Sequence, residues 1–286
     1  MKKRFNVVDA ALLLLIAAAV VVCLLFLRQR GTIASAVETK PMRFTVELRE
    51  VRDETMALFE VGQEIYRSTD GVYLGTLADY YSEPYTKEEY SQTLERYVTY
   101  ECEGLSRVYL VIEGQGYETA TDIFISDVKV KIGDELYVKG KGFAGAGYIT
   151  GLDTLGADEV KNTALSSGDT PLTYSIRVSN VRDFTVDALH VDDRVYDKST
   201  GALLGVIKDI EERPYYAFEM DAQGKGILVE REGRTELILR LESACTETAR
   251  SYFIDGRNEL KVGAELTFVT KYVHSELRYH ELLQVG

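Results

Sequence analysis

The chain has 286 residues, 45% of them hydrophobic and 28% charged, which is enough apolar material for two cores of ordinary size and excludes a disordered chain. With 46 acidic against 33 basic residues the net charge is −13, which repels phosphate backbones and excludes nucleic acid as the expected partner. Three cysteines are too few for a disulfide framework: Cys23 lies in an apolar run, and Cys102 and Cys245 read as small buried residues, with a single bridge between them as the alternative.

Lys2, Lys3 and Arg4 precede an unbroken apolar run over residues 10–27. With Val7 and Val8 it is long enough to cross a hydrocarbon core of about 30 Å at about 1.5 Å per residue. A cleaved signal peptide is the competing reading, since Ala34, Ser35 and Ala36 fit a small-x-small site. The run, however, exceeds the usual apolar region of about 7–15 residues, and Arg28 and Arg30 intervene. The flanking cations place the N-terminus in the cytoplasm and the rest outside. The predicted organisation is a cytoplasmic tip and anchor over 1–31, a tether over 32–41, β domains over 42–155 and 172–286, and a linker over 156–171.

Residues 61–79 and 191–209 match without a gap. Each copy predicts a hairpin. Val195 and Tyr196 end one strand, 197–201 turn, and 203–207 return; Gly201 takes positive φ at no steric cost, and Asp197, Ser199 and Thr200 can bond back onto the turn. Upstream, 44–48 alternates as a half-buried strand does, and Asp53 is a candidate cap for one or two helical turns. The same order recurs, at the same offset, at 174–178 and at Val181, Arg182 and Asp183; later, 262–266 matches 132–136. That persistence predicts two copies of one unit. Residues 85–100 could form a helix with Tyr90, Leu94 and Tyr97 on one face, but Gly224 and Gly226 in the counterpart break one, so both stretches are expected to be extended. The apolar runs at 108–112 and 237–241 predict strands covered on two sides. Final hairpins are expected over 135–152 and 265–283.

Gly140, Gly142 and Gly145 match G-x-G-x-x-G, but a strand-like segment follows where a phosphate-binding helix is needed, so no cofactor is expected. His274, Glu276, Arg278 and His280 share one strand face, yet the two histidines would lie about 20 Å apart, too far for one ion. His190 reads as a surface residue. The acidic groups Asp192/Asp193 and Asp183/Asp187 lack the order of a calcium loop and read as solvated turns. No pattern of a serine hydrolase, zinc protease or nucleotide-binding loop occurs. No catalytic, cofactor-binding or metal-binding residue is assigned. Arg52/Arg182 and Asp53/Asp183 recur in both copies, and a structural role is expected: a cap, or a salt bridge holding the short helix on the sheet.

Arg4-Phe5-Asn6-Val7-Val8-Asp9 leads into the apolar run, and V-G-x-x-[IV]-Y-x-x-x-[TD]-G-x-x-L-G and [IV]-x-[IV]-G-x-E-L follow. This resembles a bacterial, single-span, membrane-anchored family grouped as domain of unknown function 4330, whose typical member has one unit where this chain has two. The resemblance implies an envelope location and no catalytic residues. The hairpin also resembles β-barrel adaptor modules of envelope transport assemblies, at the level of fold alone. The expected protein is mainly β, with two tandem duplicated small barrel or sandwich domains behind one transmembrane helix. Its expected role is a non-catalytic extracytoplasmic scaffold or adaptor of the cell envelope, serving export or assembly of surface polymers through protein partners. The alternative is a ligand-binding module that takes a glycan or peptide in the groove between the domains, which clustered exposed tyrosines would favour.

Overall fold

The structure is a computed structural model that describes residues 39–153, 168, 170–249, 251–254, 258–274 and 280–285. The expected span at 10–27 lies outside them; among the described residues no helix is long and apolar enough to cross a membrane. Lys40–Gly286 form one compact unit.

The first half contains β1 (Lys40–Arg52), a 3-10 turn (Asp53–Leu58), β2 (Glu64–Arg67), β3 (Tyr73–Ser91), β4 (Arg96–Glu118), β5 (Ile123–Ile125), β6 (Val128–Val130), β7 (Glu135–Gly140) and β8 (Phe143–Asp153). The second contains β9 (Thr170–Arg182), the one-turn helix α1 (Asp183–Val186), β10 (Arg194–Asp197), β11 (Leu203–Met220), β12 (Gly226–Glu247), β13 (Tyr252–Ile254), β14 (Asn258–Leu260), β15 (Phe268–Val269) and β16 (His280–Val285). The bounds of β9, β10 and β14 repeat those of β1, β2 and β6 at the offset of the matched sequence segments.

Among the described residues these strands form two eight-stranded sheets. In the first, β1, β8, β7, β2, β3 and β4 pair in that order, β4 also pairs with β1, and β5 and β6 continue from β4 outside this circuit. In the second, β9 joins β12 and β16, while β12, β11, β10 and β15 follow in order. Of the expected pair of small barrel or sandwich domains, the coarser part is present: a mainly β chain with two sheets. Within the predicted last hairpin of the second half, Val269 and His274 form an antiparallel bridge, and residues 275–279 lie outside the described residues.

Period-two alternation places the core. Met42, Phe44, Val46 and Leu48 of β1 point inward, as do Leu172, Tyr174, Ile176 and Val178 of β9. On β4 and β12 the buried residues are Val108, Leu110 and Ile112, and Leu237, Leu239 and Leu241. The residues between them are half-buried or exposed, so these strands are not covered on two sides as the continuous runs suggested. Tyr174 stands where the first half has Phe44, and its buried hydroxyl donates to the Leu204 carbonyl at 2.8 Å. Positive φ at Glu50 and at Asn180 marks matching bulges, where the register slips between Leu48 and Val51 and between Thr235 and Leu237 of the facing strand.

Both predicted hairpins are present. Asp197 Oδ1 accepts from the backbone and hydroxyls of Ser199 and Thr200 at 2.6–2.9 Å, and Gly201 takes φ +70°. The equivalent turn in the first half is held by an ion pair between Arg67 and Asp70. Residues 85–100 are mostly extended, as expected, with a turn at 92–95 between β3 and β4. Gly142 takes positive φ in the β7–β8 turn, so the glycine motif is a hairpin. Asp53 is not a cap: it opens the 3-10 turn and accepts from the Ser106 hydroxyl at 2.7 Å, and Arg52 before it makes no side-chain capping bond.

Candidate functional site

The outer ends of the β3–β4 and β11–β12 hairpins are two-stranded arms, over 84–106 and 214–235. Alternation gives each arm two faces. On the first arm, Glu88, Tyr90 and Tyr97 turn toward the second arm; on the second, Glu219 and Arg231 turn back. Glu88 accepts from Arg231 at 2.7 Å, and Arg231 lies 5.3 Å over the Tyr97 ring. The Tyr97 hydroxyl donates to Glu219; burial, and then that carboxylate, push it up to about 12, so it stays a donor at physiological pH.

At the base of the arms lies an open cleft of about 570 Å³ lined by residues of both halves. Glu47 of β1 is its buried anchor, only 1% exposed. It accepts from Arg49 at 3.0 Å and from Arg182 of β9 at 2.6 Å, and pairs with Arg107 of β4 at 3.2 Å. Burial alone would raise the Glu47 carboxyl, but the charge of Arg182, with the charge and hydrogen bonds of Arg49, holds it below the ordinary carboxylate range. Arg182 is also sandwiched between the Phe184 and Tyr148 rings, at 4.3 and 5.7 Å. It thereby ties the second half to the first and packs on α1 through Phe184, where the sequence suggested a cap or a salt bridge holding that helix on its sheet; it makes no side-chain capping bond.

Directly across the β9–β12 ladder, Arg182 faces Arg234. In the first half the matching pair is Arg52 and Leu105. Arg234 is half-buried, lines the cleft, and makes no ion pair or hydrogen bond through its side chain among the described residues. Asp183, Asp187 and Glu232 complete the acidic side of the cleft, and Tyr85 and Tyr109 contribute rings. Of the residues singled out from the sequence, Arg182, Asp183 and Asp187 meet here; Arg52 and Asp53 do not line it. Glu47, Arg49, Arg107, Arg231 and Arg234 carried no sequence signal, because their convergence depends on long-range pairing.

A second junction joins the halves. Ile132 and Val273 form a parallel bridge, with the Ile132 amide donating to the Tyr272 carbonyl at 2.7 Å and the His274 amide to the Ile132 carbonyl at 2.9 Å. Lys131, 2% exposed at its side chain, donates to the carbonyls of Thr121 (2.9 Å) and Thr270 and pairs with Asp122 at 3.1 Å. His274 pairs with Asp134. The face expected to join His274 to Glu276 and Arg278 lies partly outside the described residues, and His190 is at the surface. Cys102 and Cys245 are free thiols, half-buried and buried. Among the described residues no group of three or more His, Cys, Asp or Glu is placed to hold a metal ion.

No curated protein and no solved structure matches the chain. A family model described as "Domain of unknown function (DUF4330)" matches residues 1–153, the N-terminal segment and the first half of the fold. That match spans more than half of the 286 residues, and the chain belongs to this family.

Proposed function

We propose that this chain is a non-catalytic adaptor of the bacterial cell envelope, held by a helix over residues 10–27, with two β modules outside the membrane that arose by tandem duplication. The constant offset between matching sequence motifs, and between matching strand bounds, supports the duplication. The anchor rests on the apolar run and its flanking cations.

The observation that carries the adaptor role is the outer face of the second arm. Phe218 and Leu228, paired across its strands, are 67% and 70% exposed, and Tyr216 and Met220 flank them with about half their surface open. A cluster of large apolar side chains on a two-stranded ribbon marks a contact surface. Its partner is a protein. The nearby carboxylates Glu230 and Asp221 disfavour anionic lipid, and the free face of the first arm, with Lys87, Glu89 and Arg96, does not complement an apolar patch on a second copy.

A photo-reactive side chain placed at Leu228 in cells should yield a discrete protein adduct, and the same group at Lys87 should not. The double change Phe218→Ser with Leu228→Ser should abolish partner capture by a probe at Met220, at a stability cost within about 0.5 kcal/mol per site. Equal adducts from both arms, or capture unaffected by the double change, would overturn the proposal. A second reading, ligand binding in the groove between the halves, is favoured by the cleft that both halves line.

A further inference from the structure

We infer that the cleft binds an acidic sugar, taking its single carboxylate against Arg234 and the neighbouring guanidiniums of Arg231 and Arg182. The inference rests on the second reading above, that the groove between the halves receives a ligand.

Placing two like charges directly opposite on paired strands is destabilising, and β9 and β12 do so with Arg182 and Arg234. The counterpart position in the first half is Leu105, so the frame does not require this arginine. The neighbouring cations are already engaged: Arg182, Arg49 and Arg107 share Glu47, and Arg231 holds Glu88. Arg234 makes no ion pair among the described residues. Burial, and then the charges of Arg231, Arg182 and Arg49, depress its affinity for its proton against the pull of Glu88. A guanidinium does not shed that proton at physiological pH, so an incoming oxyanion is what relieves the repulsion.

The rest of the lining selects among oxyanions. Five arginines face five carboxylates, with Lys87 at the rim paired to Glu89 at 3.1 Å, and a lining this close to neutral suits a monoanion and opposes a phosphate dianion. Asp183, Asp187 and Glu232 make no ion pair among the described residues and can accept hydrogen bonds from hydroxyl groups. Thr86, Thr99 and Thr150 add hydroxyls, and Tyr85 and Tyr109 add aromatic surface of the kind that packs on sugar rings. A carboxylate on a polyhydroxylated ring matches all three features. An acidic peptide would bring further negative charge with few donors.

The test is calorimetric titration of the full-length chain in detergent micelles with a glucuronate oligosaccharide, its neutral glucose counterpart, inorganic phosphate and a triglutamate peptide. The glucuronate probe should bind at least tenfold more tightly than each of the others. Arg234→Met should weaken it at least tenfold, while the melting temperature of the free variant stays at or above that of the parent because a repulsion has been removed. Equal binding of the neutral sugar, or undiminished glucuronate binding by Arg234→Met, overturns the carboxylate assignment and leaves the groove reading standing. Tighter binding of phosphate or triglutamate replaces the acidic sugar with that ligand class. Failure of all four probes overturns this inference, while a cleft-lining photo-probe at Thr99 that captures a cellular ligand would show that the groove reading survives it.

Discussion

The two halves share a frame and differ in how they finish it. In the first, pairing returns from β4 to β1 and every step is a named strand. In the second, β15 has two residues, and no described pairing joins it to β16. The arms diverge further: the face carrying Thr86, Glu88 and Tyr90 on the first arm lies against the second, and the matching face of the second, with Tyr216, Phe218 and Met220, is open. Contact between the arms is thus head to tail, joining unlike faces. The common pattern carries the architecture, and the departures from it decide which faces are covered and which stay exposed.

The largest test of this contrast is at Glu47. Its counterpart in the second half is Arg177, so the anchor belongs to one half alone. Glu47→Ala strands three guanidiniums around an empty position and should cost about 3–5 kcal/mol, read as a lower unfolding midpoint in urea. The same carboxyl predicts acid sensitivity. Its pKa is lower folded than unfolded, so the stability it contributes is complete above its ordinary value of 4.5 and is lost as pH falls through the depressed folded value. The parent should therefore lose stability steeply below about pH 4.5, and Glu47→Ala should flatten that limb.

A smaller effect separates the two hairpin glycines. A Cβ at Gly75 would sit 2.2 Å from the Glu113 carbonyl, on a backbone with φ +147°. At Gly205 the matching distance is 2.8 Å, to Glu242, without positive φ. Gly75→Ala should cost about 3 kcal/mol and Gly205→Ala about 1 kcal/mol by thermal melting; equal costs would mean that the second hairpin is packed as rigidly as the first. The smallest effect compares the turns. Asp197→Ala removes a buried carboxylate and the four hydrogen bonds it accepts from an otherwise exposed turn and should cost about 1–2 kcal/mol, whereas Asp70→Ala breaks an exposed ion pair and should leave the melting temperature unchanged.

Much of the frame was legible in the sequence because its signals are local. Turn chemistry at 197–201 and alternation over 44–48 need only neighbouring residues, and glycines at 224 and 226 were enough to extend the arms. The burial of β4 was read less well: Tyr109 and Val111 are apolar, yet they are only half-buried, and composition alone does not say which face is covered. The cleft was not legible at all. Arg182 is far along the chain from both Arg234 and Glu47, so neither encounter has a signature within one window of sequence. Recurrence is a poor guide to this site as well. Arg52 and Arg182 recur, but what distinguishes the cleft is Arg234, where the first half has Leu105.

The bridge between Ile132 and Val273, reinforced by Lys131 reaching the Thr270 carbonyl, has a consequence for engineering. Cohesion between the halves does not rest on peptide continuity alone, because main-chain groups on either side of residues 154–169 grip one another directly. Fragments ending at Asp153 and beginning at Thr170 carry matched complementary surfaces, as the pieces of a split reporter do. The junction is therefore a natural place to insert a sensor or to re-open the chain with new termini.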